Sequence, residues 1–151
     1  MTILPATEND LPQILALQKA AFECEARLVE NWSIPPLTQT LEQLAEDWRA
    51  GLILKAVDEQ KIVGTVRACL AEDTAHIGRL AVLPQWQGRG CGSALLTAIL
   101  SVAKAARYEL FTSAKSERNL RLYEKFGFVR YKKAQAANGV ELVWLEKFSA
   151  L

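Results

Sequence analysis

The segment from Leu80 to Ser93 carries the strongest chemical pattern in the sequence. Its apolar first part predicts a strand, and Gly88, Gly90 and Gly92 then alternate just before an apolar stretch with helical spacing. Glycines let successive backbone N–H groups point the same way without Cβ clashes, and a helix N-terminus adds partial positive charge. The segment therefore predicts a cradle for an anion, most commonly a phosphate.

Two other phosphate-binding patterns do not fit this turn. The Walker A pattern needs Lys and then Ser or Thr after its last glycine, whereas Cys91 here precedes Gly92 and Ser93. The dinucleotide pattern GxGxxG fits Gly88 and Gly90 but meets Ser93 at its third glycine. A phosphoryl-transfer or dinucleotide enzyme is therefore disfavoured, and a helix start without a ligand stays an alternative.

A second polar pair follows on a predicted helix. Asn119 and Tyr123 are four residues apart and so share one face, while Leu122 and Phe126 mark the neighbouring apolar face. Gly127 predicts the end of this helix. The helix would thus present an amide and a phenol to one site. Taken alone, Tyr123 fits equally well a tyrosine that only packs against the core.

Together the two segments resemble the GNAT superfamily of N-acetyltransferases. Gln87-Gly88-Arg89-Gly90-Cys91-Gly92 is similar to its Q/R-x-x-G-x-G/A pyrophosphate motif, and Asn119 with Tyr123 and the following Gly-Phe is similar to its motif beside the CoA thiol. The resemblance covers roughly residues 52–148, and the earlier part matches in element order only. It implies an α/β fold with a mixed, largely antiparallel central sheet, flanking helices and a β-α-β acetyl-CoA-binding core.

The resemblance also implies an activity. Acetyl-CoA would donate an acetyl group to a primary amine, on a small molecule, peptide or protein, by direct attack in a ternary complex. A non-catalytic sensor of CoA or acetyl-CoA on the same fold is the alternative. Tyr123 favours the enzyme, because a sensor needs no general acid.

Residue roles follow from the same resemblance. The pyrophosphate would bind the backbone of Gln87 to Ser93, Asn119 would contact the pantetheine arm or phosphates, and Tyr123 would protonate the leaving thiolate. A strand N–H near Val82 would stabilise the oxyanion. An ordinary Tyr pKa of about 10 lies within a unit or two of a thiol's, so that transfer would be nearly balanced. The predicted cofactor-binding residues are Leu80, Ala81, Val82, Gln87, Gly88, Arg89, Gly90, Cys91, Gly92, Ser93, Asn119 and Tyr123.

The base for the amine is less clearly marked. His76, the one histidine, lies on the strand leading into the glycine turn. The resemblance places it where histone-acetylating members carry Glu and arylalkylamine-acetylating members carry His, and an ordinary His pKa of about 6.5 suits a base. A structural strand histidine is the equally open interpretation. Cys91 stands where the family commonly has an apolar residue, so we expect no acyl-cysteine.

Charge is concentrated locally. The chain carries a net charge of only +1, yet five basic residues fall in the two motifs, which suits the negative charges of CoA: Arg89, Lys115, Arg118, Arg121 and Lys125. On the acceptor side we expect Phe22 to Pro36 with Arg67 and Glu72, and Trp32 as a pocket floor. A cationic amine would be attracted by Glu23, Glu25 and Glu30.

Length and composition bound the remaining expectations. The 151 residues, half of them hydrophobic, predict one globular domain over 1–151. The near-neutral charge predicts no nucleic-acid partner, and the apolar stretches are too short to span a membrane. Three scattered cysteines and one histidine predict no disulfide framework and no metal site. We therefore expect a cytoplasmic protein without a signal peptide, and a homodimer is compatible with the sequence.

The elements that must position these residues follow from periodicity and breakers. Helices are predicted from Asp10 through Ala21, from Thr38 or Thr40 to Trp48, over 92–107 and over 118–126, and 31–36 is predicted to be a loop. Strands are predicted over 3–6, 52–57, 62–70, 75–83, 109–112, 128–133 and 140–148, the last two as a hairpin around Asn138-Gly139.

Overall fold

The computed structural model describes residues 1–149. Within this range, seven strands form one sheet: β1 (Thr2–Pro5), β2 (Leu52–Asp58), β3 (Lys61–Ala71), β4 (Thr74–Val82), β5 (Arg107–Ser113), β6 (Val129–Gln135) and β7 (Glu141–Phe148). The five α-helices of the described range are α1 (Leu11–Val29), α2 (Pro35–Thr38), α3 (Leu41–Ala50), α4 (Cys91–Val102) and α5 (Glu117–Lys125). The strand order is β1-β2-β3-β4-β5-β7-β6.

The junction between β4 and β5 divides the sheet. Among the described strands this pair alone is parallel, with α4 as its crossover, and it is hydrogen-bonded only where Thr74–His76 meets Arg107–Glu109. Beyond that point β5 continues along β7 through to Ser113, while β4 leaves it. The two strands therefore open a wedge at their carboxyl ends. The predicted α/β class, with a largely antiparallel sheet and one β-α-β unit, is confirmed.

Apolar side chains form a core on each face of the sheet. The larger core joins α4 and α5 to the sheet through residues such as Leu95, Leu96, Ile99, Leu120 and Leu145. The smaller core lies under α1 and α3, around Ile14, Leu17, Leu44 and Ile53. The buried positions of β2 and β3 fix the strand register, because a shift by one residue would move each side chain to the other face of the sheet.

Several element boundaries differ from the predictions for local reasons. The carboxylate of Asp10 does not cap α1; it accepts hydrogen bonds from the Thr7 N–H and from Lys55 Nζ, each at 2.7 Å. The double proline ends no helix but begins the single-turn α2, since proline is tolerated in a first helical turn. Thr40 was the correct start for α3: its Oγ1 accepts from Gln43 N–H, and Gln43 Oε1 accepts from Thr40 N–H.

The end of α4 and the last hairpin show tertiary contacts overriding local preference. The predicted helix 92–107 stops at Val102, because the Ala106 and Arg107 N–H groups donate to Asp73 O and Arg107 pairs with Phe148. The hairpin is confirmed, but its connection spans 136–140 rather than two residues, with Gly139 at φ +86°. Gly127, at φ +93°, follows the end of α5 as predicted.

Candidate active site

A cleft of about 610 Å³ lies between α1, the end of β4, the start of α4 and α5. That volume falls in the usual range for small-molecule sites. Most of the residues predicted to bind the cofactor line it: Leu80, Ala81, Val82, Gln87, Gly88, Gly90, Cys91, Gly92, Ser93 and Asn119. The backbone thus brings the two sequence motifs to opposite walls of one space.

The glycine turn is built as an anion cradle. Gly88 and Gly90 have φ values of +78° and +84°, which residues with a Cβ adopt only under strain. Gly90 is the N-cap of α4, and no side chain caps the helix. The first-turn N–H groups of Cys91, Gly92 and Ser93 therefore have no intrahelical partner and border the cleft, where a phosphate would satisfy them.

The polar and basic side chains around this turn have distinct positions. Gln87 joins the two walls, because its Nε2 donates to Val82 O at 3.2 Å and its Oε1 accepts from Arg118 at 2.8 Å. Arg89 does not line the cleft; its guanidinium lies 4.9 Å from the Trp86 ring centroid. Four cations line the space, Lys115, Arg118, Arg121 and Lys125, against the acids Glu25 and Glu117. The cleft is therefore positive in a chain that is nearly neutral overall.

Tyr123 and Asn119 lie on α5 as the spacing predicted. Tyr123 is 6% exposed and packs edge-on against Phe128, with ring centroids 6.2 Å apart. Asn119 lines the cleft and donates to Thr112 Oγ1 at 3.3 Å, which ties α5 to β5. Burial, reinforced by the charge of Glu25, raises the pKa of Tyr123 well above its usual range. The phenol is thus a persistent hydrogen-bond donor, and its pKa is not matched to that of a thiol, contrary to the expectation from an ordinary tyrosine.

The end of β4 offers a backbone donor to the cleft. The Leu83 N–H donates to Val63 O of β3 at 2.9 Å. Successive N–H groups of an extended strand point to opposite edges, so the Val82 N–H faces the wedge between β4 and β5. Val82 also lines the cleft. Its N–H therefore has the direction that an oxyanion donor needs.

Cys91 is held away from nucleophilic chemistry. Its side chain is 1% exposed, and a Cβ added to Gly64 of β3 would lie 2.9 Å from its Sγ. Burial raises the pKa of the Cys91 thiol, which keeps it protonated. The residue reaches the cleft through the start of α4 while its sulfur packs against the sheet.

A comparison with protein families decides the relationship. Residues 11–128 match the model of the acetyltransferase (GNAT) family, which is more than half of the chain. The chain belongs to the GNAT acetyltransferase family. It is accordingly an acyltransferase of the N-acetyltransferase class that uses acetyl-CoA.

Solved structures share the GNAT fold at low sequence identity. A ribosomal-protein-alanine N-acetyltransferase from Brucella melitensis has a TM-score of 0.80 at 20% identity, over 99% of this chain and 100% of that one. PaiA N-acetyltransferase from Thermoplasma acidophilum, in complex with coenzyme A, gives 0.77 at 17% identity, over 99% and 100%. YncA from Salmonella typhimurium, with acetyl-CoA, gives 0.79 at 15% identity, over 98% and 93%. No curated protein matches the sequence.

The cleft of this GNAT chain fits acetyl-CoA by its own chemistry. The free N–H groups at the start of α4 and the four cations suit the phosphates of the cofactor. The open edge of β4 suits the amide groups of its pantetheine arm. Among residues 1–149, no cluster of three or more His, Cys, Asp or Glu side chains is arranged to hold a metal ion.

His76 lies apart from the cleft. Its side chain is 44% exposed, and Nδ1 is 3.2 Å from Oε1 of Glu109 on β5. Arg107, hydrogen-bonded to Glu109 at 2.8 Å, completes this group at the closed end of the wedge. His76 does not line the 610 Å³ space; of the other predicted site residues, Arg89 and Tyr123 are also absent from its lining, and the rest line it.

The residues predicted to lie on the acceptor side are not all in the cleft. Glu25 lines the cleft, whereas Glu23 and Glu30 are exposed outside it. Arg67 lies beneath α1 and α3, donating to Asp47 at 2.7 Å. Trp32 is 55% exposed.

No helix within residues 1–149 is long and apolar enough to cross a bilayer.

Sequence reasoning missed Glu117 of the cleft and, with more consequence for the site, Ser116. Its position just before α5 is typical of an N-cap, yet its side chain makes no capping hydrogen bond. Instead Ser116 Oγ donates to Glu25 Oε2 at 3.3 Å. A contact across 91 residues of sequence leaves no local signal.

Proposed function

We propose that this enzyme transfers the acetyl group of acetyl-CoA to a primary amine by direct attack in a ternary complex. The observation that carries the proposal is that one cleft joins an anion cradle, an open strand edge and the phenol-bearing α5. An acyl-enzyme route has no support from Cys91, the nearest thiol to the cradle, since it is buried and protonated.

The proposed roles follow the geometry of the chain. The first-turn N–H groups of α4 hold the pyrophosphate, with Lys115, Arg118, Arg121 and Lys125 as counter-charges. The cofactor, when bound, supplies an activated thioester. The Val82 N–H stabilises the carbonyl oxygen as it becomes negative. The Tyr123 hydroxyl donates its hydrogen to the departing sulfur.

The experiment is a panel of primary amines with acetyl-CoA, followed by release of free thiol. The panel includes polyamines, amino acids, peptides with free N-termini and lysine peptides. Mass spectrometry must show acetylated amine in a one-to-one ratio with released thiol, and acetyl-CoA without amine is the control for hydrolysis. A sensor would bind acetyl-CoA stoichiometrically in calorimetry yet turn over none of the panel, and that result would contradict the proposal.

The compartment, the assembly and the domain limits are also proposals. All three cysteines are free thiols, Cys24 and Cys69 exposed and Cys91 buried, which supports the cytoplasm as compartment. A single domain is supported by the one sheet that joins strands from Thr2 to Phe148. Exposed Phe111 and Phe148, on the face of β5 and β7 away from α4, support a homodimer, which sedimentation at micromolar concentration would test.

A further inference from the structure

One carboxylate faces the cleft from α1. Glu25 is half-buried and lines the space beside Phe22 and Leu28. Glu23, two residues earlier on the same helix, is exposed and outside the cleft. The side chains that α1 contributes are otherwise apolar or thiol, so Glu25 gives this wall its only negative charge within the described residues.

The orientation of Glu25 is fixed from the opposite wall. Ser116, 6% exposed, donates its hydroxyl hydrogen to Glu25 Oε2 at 3.3 Å instead of capping α5. A serine at an N-cap position normally accepts a helix N–H, so the hydroxyl is diverted from its usual partner. Glu25 also lies close enough to Tyr123 for its charge to act on the phenol.

We propose that Glu25 is the general base of this enzyme: it binds the acceptor's ammonium group and removes its proton. The proposal rests on the acetyl transfer proposed above. Glu25 shares the cleft with the cradle and with α5, whereas His76 is outside it with Nδ1 directed at Glu109. A candidate base must come within hydrogen-bond reach of the proton it takes, and that criterion favours Glu25.

The proposed transfer conserves protons and electron pairs. The ammonium gives one proton to the Glu25 carboxylate, and the freed nitrogen lone pair forms the C–N bond. The C–S bond breaks and sulfur keeps its electron pair. Tyr123 gives its proton to that sulfur and regains one from the acylated nitrogen. Glu25 returns its proton to solvent, leaving an amide and a free thiol.

The charges around Glu25 link its state to that of Tyr123. Burial raises the pKa of Glu25, and the Ser116 hydrogen bond lowers it in part. The charge of Glu25 in turn contributes to the raised pKa of Tyr123. Once Glu25 has taken the amine's proton this contribution vanishes, so the phenol becomes a better acid when sulfur leaves. The other residues with titratable side chains that line the cleft are Cys24, Cys91, Lys115, Glu117, Arg118, Arg121 and Lys125, and of these Cys91 directs its sulfur to the sheet.

The experiment compares Glu25→Gln with Glu23→Gln, a matched change on the same helix outside the cleft. In wild type, kcat/KM rises with pH as Glu25 deprotonates. Glu25→Gln should lower kcat/KM by about 10²–10³-fold, within the usual range for a positioned base, and abolish this acidic limb. Affinity for acetyl-CoA should change less than about threefold. Ser116→Ala should move the limb to higher pH, since the hydrogen bond that lowers the pKa is lost.

Two outcomes would overturn the assignment. One is a Glu25→Gln enzyme that keeps the acidic limb and most of its activity. The other is loss of that limb in His76→Gln with Glu25 intact. If wild type acetylates no amine, the proposed function fails and the base role falls with it, whereas an active wild type with an equally active Glu25→Gln variant contradicts this inference alone.

Discussion

Replacing Tyr123 with Phe isolates the phenol hydroxyl from everything else that the residue does. The ring is buried against Phe128, and Phe keeps that packing. The hydrogen bonds at this end of the cleft join Ser116 to Glu25 and Asn119 to Thr112, and the Tyr123 hydroxyl takes part in neither. Its removal leaves those partners paired, so we expect the melting temperature and the Kd for acetyl-CoA to change little.

The size of the kinetic effect depends on what the hydroxyl supplies. A hydrogen bond to a charged group is worth about 1.5–3 kcal/mol. At about 1.4 kcal/mol for each factor of ten, its loss lowers kcat by about 10- to 150-fold. Full general acid catalysis reaches about 10⁴-fold. Because burial and Glu25 hold the pKa of Tyr123 far above a thiol's, complete proton transfer in the resting enzyme is uphill. We therefore expect a loss of about 10²-fold.

The assay measures kcat and KM across pH with the amine found in the panel. Tyr108→Phe is the control, because the Tyr108 hydroxyl donates to Leu100 O at 3.2 Å beyond the cleft. That change should lower stability but leave kcat near wild type. If Tyr123→Phe retains kcat within threefold, water protonates the sulfur and Tyr123 has no role as the acid. A large loss of kcat together with an equal fall in melting temperature would show a packing role instead.

Two further predictions concern the glycine turn. Gly90→Val should abolish measurable acetyl-CoA affinity in a folded protein, because φ +84° strains a β-branched residue and its side chain enters the cradle. Calorimetry measures the affinity and circular dichroism checks that the protein is folded. Unchanged affinity would refute the cradle. Cys91→Ala should keep most of the turnover, since the buried thiol stays protonated, and an acetylated Cys91 trapped by mass spectrometry would overturn direct attack.

Most of the fold was predictable because local signals and tertiary packing agree. Thr40 with Gln43 forms the capping box that its spacing indicates, and Gly127 takes the left-handed conformation that ends α5. The exceptions lie where a distant partner decides. Residues 103–106 suit a helix, but Asp73 O binds the Ala106 N–H and starts the approach to β5. Nothing within the segment itself encodes that contact.

The candidate site, like the fold, has parts that could be predicted from the sequence and parts that could not. The glycine turn and the Asn119–Tyr123 pair could be placed from the sequence, because each is a local pattern whose geometry fixes where its polar groups point. Whether His76 or a carboxylate in the cleft is the candidate base could not be predicted from the sequence. It depends on where α1 crosses the wedge and on Ser116 meeting Glu25, a pairing set by the packing of α1 against the sheet. The raised pKa of Tyr123 likewise follows from burial in three dimensions.

The position of the cleft follows from one topological feature, the parallel pair of β4 and β5. A parallel neighbour requires a crossover connection, here through α4, so α4 begins near the carboxyl end of β4. Pairing of β5 with β7 continues to Ser113, but beyond His76 and Glu109 the facing edges of β4 and β5 are not paired with each other. Buried backbone groups must find partners. The same junction therefore suits a ligand that carries phosphates at one end and amides along its length, and CoA has both.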